Sequence, residues 1–126
     1  MPKVSLYKEG ILVSEYPLHA LVDLYEIKRE YTERQAICHT PHYLLVKTHG
    51  LRILTQEAME FLAGPEHSEI TKAVAVFVDP NIGYFEHSKI LLWMLKNIYM
   101  PKFEMEVFDN EDMALEWISN YCNENG

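Results

Sequence analysis

Long apolar runs are missing from this sequence. No stretch approaches the ~18 residues that a membrane-spanning helix needs. Cysteine is scarce: Cys38 and Cys122 stand far apart, and read as reduced thiols rather than a bridge. Glycine is scarce too, five residues in 126, and none forms a phosphate-cradling loop. Asp79-Pro80-Asn81-Ile82-Gly83 lies between a strand end and a helix start, where open α/β sheets place ligands. It lacks the glycine spacing and the lysine of a nucleotide loop. Positive charge is short, eleven Lys and Arg against nineteen Asp and Glu, for a net charge of −8. The densest basic group is only Lys28-Arg29 with Arg34. Nucleic acid and anionic membrane surfaces are therefore disfavoured partners. Met1-Pro2-Lys3-Val4-Ser5 has no apolar core of a signal peptide, so a cytoplasmic location is expected.

Six histidines do not compose a metal site. His39 and His42 are three apart with Pro41 between them, and His49, His67 and His87 belong to different segments. Cys38 beside His39 or His42 does not make a catalytic pair, because adjacency does not place a base on a thiol. No catalytic residue, metal or cofactor is expected.

What is present is the composition of one globular domain: 48% hydrophobic and 24% charged residues. Its expected extent is 1–122, with a frayed tail over 123–126. The organising stretch is Ile70–Phe108. Ala73-Val74-Ala75-Val76-Phe77-Val78 is apolar without alternation, as in a strand buried on both faces. Gly83 to Tyr99 follows as a helix, with Asn81 as its expected cap and Pro101 as its stop. Phe103 to Phe108 alternates with Glu104 and Glu106, as an edge strand does.

Upstream, Val4–Tyr7 and Ile11–Tyr16 read as a hairpin turning at Gly10, with Pro17 ending the second strand. Ala20 to Ile37 reads as an outer helix, its apolar face marked by Ala20, Leu21, Leu24, Ile27 and Tyr31. On its solvated faces Glu30 and Arg34 form a one-turn ion pair worth a few tenths of a kcal/mol. His42 to Lys47 is a strand bounded by His49-Gly50. Leu54 to Ala63 is a short helix capped by Thr55, and Glu66-His67-Ser68-Glu69 a polar turn. Asp109-Asn110 caps a last helix that buries Met113, Ala114, Trp117, Ile118 and Tyr121. The order β-β-α-β-α-β-α-β-α predicts an α/β fold: a mixed, mostly parallel sheet of about five strands with about four helices.

This order, and most closely its last third, resembles the STAS superfamily and its SpoIIAA-like stand-alone domains. The resemblance rests on Ala73–Val78, the helix through Leu91-Leu92 and Leu95, and Phe103-Glu104-Met105-Glu106-Val107-Phe108-Asp109-Asn110-Glu111-Asp112-Met113-Ala114-Leu115-Glu116-Trp117-Ile118. It implies a non-enzymatic protein-interaction module in bacterial signalling or regulation. Phosphorylatable members carry Asp-Ser-Ser-Gly where this chain has Thr55, Gln56, Glu57 and Ala58, so the phosphoacceptor serine is not carried over. Thr55 is a helix cap, and Glu57 places an acidic residue in the first turn. Tyr84-Phe85, Ile90, Trp93-Met94 and Ile98-Tyr99-Met100 extend beyond one stripe of the long helix. They belong to the core, to a homodimer contact, or to a greasy pocket. The candidate binding residues are thus Thr55, Gln56, Glu57, Asn81, Tyr84 and Trp93. The expected partner is a protein, possible homodimerisation running through 83–100. The alternative function is that of a small apolar-ligand or lipid-binding domain.

Overall fold

The chain runs β1 (Lys3–Lys8), β2 (Ile11–Val22), α1 (Leu24–Ile37), β3 (His42–Leu54), α2 (Gln56–Ala63), α3 (Pro65–Ile70) and β4 (Thr71–Val78). It continues with α4 (Phe85–Met94), a π-helical turn (Leu95–Tyr99), β5 (Glu104–Phe108) and α5 (Glu111–Asn125). The structure is a computed structural model, and it describes residues 2–125. The strands form one sheet in the order β1-β2-β3-β4-β5. β1 and β2 pair antiparallel; every later pair is parallel. The fold is the α/β class expected, with a mixed, mostly parallel sheet.

β4 shows how the sheet is covered. Val74, Val76 and Val78 lie in a cluster with Ile27 of α1, Ala58 and Met59 of α2, Leu92 of α4 and Leu95 of the π turn. Ala73, Ala75 and Phe77 point the other way, against Ala114 and Ile118 of α5. Side chains alternate across a strand, so a strand apolar at every position requires a helix layer on each side. β5 completes one edge and β1 the other.

Several boundaries differ from the sequence reading. Pro17 does not end β2, which continues to Val22 with register shifts on either side of Leu18–Ala20. A proline lacks the ladder donor, and a local irregularity accommodates it. Ala20 and Leu21 are therefore strand residues. α1 begins at Leu24, where the Asp23 carboxylate accepts from the Glu26 N–H at 2.9 Å. β3 runs through Gly50 to Leu54 instead of stopping at His49-Gly50. The polar turn at 66–69 is the helix α3, with His67 buried. Asn81 does not cap α4. Its N–H donates to Asp79 Oδ1 at 2.9 Å, and Tyr84 takes the cap position with a left-handed backbone, φ 70°. On the long helix Ile98 is exposed, and on α5 so is Met113. The caps from Thr55, at 3.2 Å to the Ala58 N–H, and from Asn110, at 2.9 Å to the Met113 N–H, are as expected. α5 continues through 123–125, residues expected to lie in a frayed tail; Gly126 lies outside the described residues.

β2 and β3 outrun β4: Thr48 pairs with Val78, while β3 goes on beside Leu18–Val22. α4 packs over this extension, with Ser88 Oγ accepting from the Leu51 N–H at 2.7 Å. Gly50, φ +89°, makes the close approach possible, since a Cβ there would lie 2.5 Å from the Gly83 carbonyl oxygen. Gly10, φ +88°, turns the hairpin, and a Cβ there would meet only Cys122 Sγ at 3.6 Å. Gly50→Ala should therefore cost roughly 2–4 kcal/mol of stability, and Gly10→Ala about 1 kcal/mol. Urea unfolding of the two variants tests the ranking, and coincident midpoints would contradict it.

Candidate functional site

Ile27, Glu30 and Arg34 stand three and four residues apart, so one helix face carries all three. That face of α1 turns inward. Ile27 meets the apolar core, and the next two turns bring a carboxylate and a guanidinium into it, 2% and 0% exposed. Glu30 and Arg34 are thus not the solvated pair expected. Their closest charged atoms, Arg34 Nη1 and Glu30 Oε1, are 3.7 Å apart.

Each charge is surrounded by groups from other elements. Ser14 and Tyr16 of β2 donate to Glu30 Oε2 at 2.6 and 2.7 Å. Arg34 Nε donates to His42 Nε2 at 3.0 Å, Nη1 to His67 Nε2 at 2.7 Å, and Nη2 to Thr71 Oγ1 at 2.7 Å. Because arginine only donates, both imidazoles must accept at Nε2 and are neutral, with the proton on Nδ1. His42 Nδ1 then donates to the Thr40 carbonyl at 3.0 Å. His67 Nδ1 is buried, and the Leu62 carbonyl beside the ring favours the proton there.

Titration follows from these contacts. Burial, then the Arg34 charge, lowers His42 to about 4. Burial and Arg34 likewise lower His67 to about 3. Burial, reinforced by Glu30, pushes the Tyr16 hydroxyl well up. Burial lowers Arg34, and Glu30 opposes the shift.

Beside the network, between the sheet and α4, lies a cavity of about 60 Å³. Tyr16, Glu30 and His67 border it, but almost none of the surface facing it is polar. Val76, Leu92, Leu95 and Phe103 contribute to the apolar remainder. A second hollow, of about 260 Å³, opens between the end of the π turn and β5 and shares Phe103 and Met105 with the first.

The candidates from sequence are scattered relative to this site. Thr55, Gln56 and Glu57 start α2, with Gln56 and Glu57 exposed. Asn81 is exposed in the β4–α4 connection. Tyr84 meets His19 edge-on, with centroids 5.0 Å apart, and His87 at 6.1 Å; the Arg52 guanidinium lies 5.8 Å from its ring. Trp93 is on the outer face of α4. No described hydrogen bond, ion pair or ring contact joins Thr55–Glu57 to Tyr84 or Trp93. His49 is set between carboxylates: Nε2 is 2.9 Å from Glu15 Oε2, and Nδ1 is 3.7 Å from Asp79 Oδ2. His87 Nε2 lies 2.7 Å from the Arg52 carbonyl. Among the described residues no three His, Cys, Asp or Glu side chains are placed to hold a metal ion. Sequence reasoning missed the inward network. The available signal was the 27-30-34 spacing, which continues the apolar stripe in charged residues.

Two outcomes are expected. Replacing one charge should strand the other: Glu30→Leu or Arg34→Met alone should cost roughly 3–5 kcal/mol, and the double variant less than their sum. Chemical denaturation of the three variants measures this coupling. The second concerns acid. Unfolded His42 and His67 take up protons through pH 6.5, whereas the folded rings resist until about 4 and about 3. Their contribution is intact above pH 6.5 and falls away as the pH drops towards 4. Each proton that only the unfolded chain binds costs about 1.4 kcal/mol for every pH unit crossed. Stability against pH should approach a slope of two protons in that window. A flat profile would contradict the neutral-imidazole assignment.

No curated protein and no solved structure matches the chain. The sequence profile of one family, described as a domain of unknown function (DUF7793), matches residues 5–122. The chain therefore belongs to the DUF7793 family.

Proposed function

We propose that this protein is a non-enzymatic, STAS-like interaction module that works by pairing with a second copy of itself through the outer face of α4 and the π turn. The observation that carries the reading is the exposure of Ile90, Trp93 and Ile98, each 58%, and of Met100, 68%. Several large apolar groups on one stretch of 11 residues are more than a monomer's scattered surface leaves uncovered. The inner side of the same helix is already used: Ser88, Leu92 and Leu95 are buried. Ile90, Trp93, Ile98 and Met100 are among the residues that the sequence left open between core, homodimer contact and greasy pocket.

Charge favours the same face for self-association. A chain of net charge −8 repels its copies over most of its surface. From Phe85 to Tyr99 there is one carboxylate, Glu86, against two amines, Lys89 and Lys96. That stretch is less negative than the chain as a whole. An antiparallel pairing of the two helices sets Ile90 of one copy against Trp93 of the other. The role in bacterial signalling or regulation, like that of the anti-sigma-factor antagonists, rests on the resemblance in element order. With Thr55, Gln56, Glu57 and Ala58 in place of Asp-Ser-Ser-Gly, the association would run without a phosphoserine switch at α2.

Sedimentation equilibrium tests the proposal. The native chain should be a dimer at micromolar concentration, and the double variant Ile90→Glu, Trp93→Glu a folded monomer with at least a hundredfold weaker association. A native chain that remains monomeric at the highest soluble concentration would end the proposal.

A further inference from the structure

The sheet ends in two edges of opposite character. Among the described residues no strand pairs with the outer side of β1 or of β5. Such an edge presents a row of unmet N–H and C=O groups, a template for a further strand. Side chains directly opposite each other across a ladder share a face of the sheet. Lys3 is opposite Glu15, Ser5 opposite Val13 and Lys8 opposite Ile11, so these three lie on the α5 side. Val4 and Leu6, opposite Ser14 and Leu12, lie on the α1 side. β5 repeats the pattern with the charge reversed. Glu104 and Glu106 are opposite Ala73 and Ala75 on the α5 side, and Met105 and Val107 are opposite Val74 and Val76 on the other.

We infer that β1 of one copy pairs antiparallel with β5 of the next, so that one sheet runs on through successive copies. The direction follows from the topology. β1 runs against β2–β5. Copies set side by side in one orientation therefore bring β1 antiparallel to the neighbour's β5 and keep each helix layer on its own side. Lys3 and Lys8 then share a face with Glu104 and Glu106, and Val4 and Leu6 share one with Met105 and Val107. Pairing like with like is worse: β1 on β1 sets lysine beside lysine, and β5 on β5 sets glutamate beside glutamate. Leu6 is 57% exposed in the single copy. The α1 side of its strand is open, with a groove of about 550 Å³ between Val4 and the end of α1 at Ala36 and Ile37. At the other edge Lys96 holds Glu106 at 3.1 Å and must yield to the incoming lysine. That exchange and the shortness of both strands keep the contact weak, with a dissociation constant on the order of 0.1–1 mM. Strand twist of roughly 20–25° per step, about the line along which copies add, makes the series helical and open-ended. Nothing here requires α4 to pair, and the test is made without that contact.

The test uses the Ile90→Glu, Trp93→Glu chain. Between about 0.05 and about 2 mM its weight-average sedimentation coefficient should keep rising, and the amide NMR shifts that move with concentration should cluster in β1 and β5. Adding Lys3→Glu and Lys8→Glu makes both edges acidic; adding Glu104→Lys and Glu106→Lys makes both basic. Either chain alone should associate at least about tenfold more weakly. An equimolar mixture should regain the rising series, because each edge then finds its opposite. A starting chain that stays monomeric throughout, swapped chains that associate as strongly as the starting one, or a mixture no stronger than its components would each overturn the inference. The amide map needs no edge substitution, so it decides even if a swapped chain fails to fold: shifts that spare β1 and β5 would also overturn the inference.

Discussion

The interior of this protein is organised around two opposite charges that water does not reach. Isolating either Glu30 or Arg34 in an apolar core would be prohibitive, and their mutual attraction at 3.7 Å does not by itself replace lost hydration. Five other side chains complete the replacement. They come from β2 (Ser14, Tyr16), β3 (His42), α3 (His67) and β4 (Thr71). The guanidinium fork has fixed angles, and its three nitrogens reach acceptors on three different elements. α1 therefore cannot slide or rotate on the sheet without breaking several strong bonds together. Apolar contacts along the same face would permit smaller readjustments at lower cost, because they are not directional.

The same requirement explains why α3 exists. Gly64 and Pro65 end α2, and the chain has only a few residues before β4 must begin. A polar loop there would satisfy the local sequence. Instead one and a half turns of helix carry His67 inward, where its ring packs against Phe61 and Phe103 and its Nε2 accepts from Arg34. The histidine's neutral form is essential to that role. A protonated ring would confront the guanidinium as a like charge, which is why both network imidazoles are driven below their ordinary range.

What could be read from sequence was what is decided locally. The unalternating run Ala73–Val78, the turn at Gly10 and the caps at Thr55 and Asn110 depend on neighbours within a few residues, and each was legible. The long reach of β2 and β3 was not. Pro17 and Gly50 are interruptions by local rules, yet both strands pass through them because α4 and the opposite strand supply the missing contacts across the sheet. Tyr84 likewise takes a left-handed backbone that no local preference favours, in a tight corner beside His19 and Gly83. Glu30 and Arg34 misled for a related reason. A one-turn ion pair on a charged helix is the ordinary mark of a solvated face, and only partners 8 to 37 residues away convert it into a core element. Of the residues singled out as candidates, Tyr84 and Trp93 stand at distinctive places, while the most constrained polar cluster in the molecule was not among them.

α4 has two sides with different surroundings. Leu92 and Leu95 form part of the cavity wall, while Ile90 and Trp93 face outward within the same turn. The helix therefore closes the core on one side and leaves large apolar groups uncovered on the other. That helix is held to the sheet at its start by Ser88 on Leu51, and at its other end it passes into a π turn, whose wider winding leaves a looser ladder of hydrogen bonds. That turn packs Leu95 into the core and carries the exposed Ile98. An association through Ile98 would therefore act on the same turn that holds Leu95 in the core.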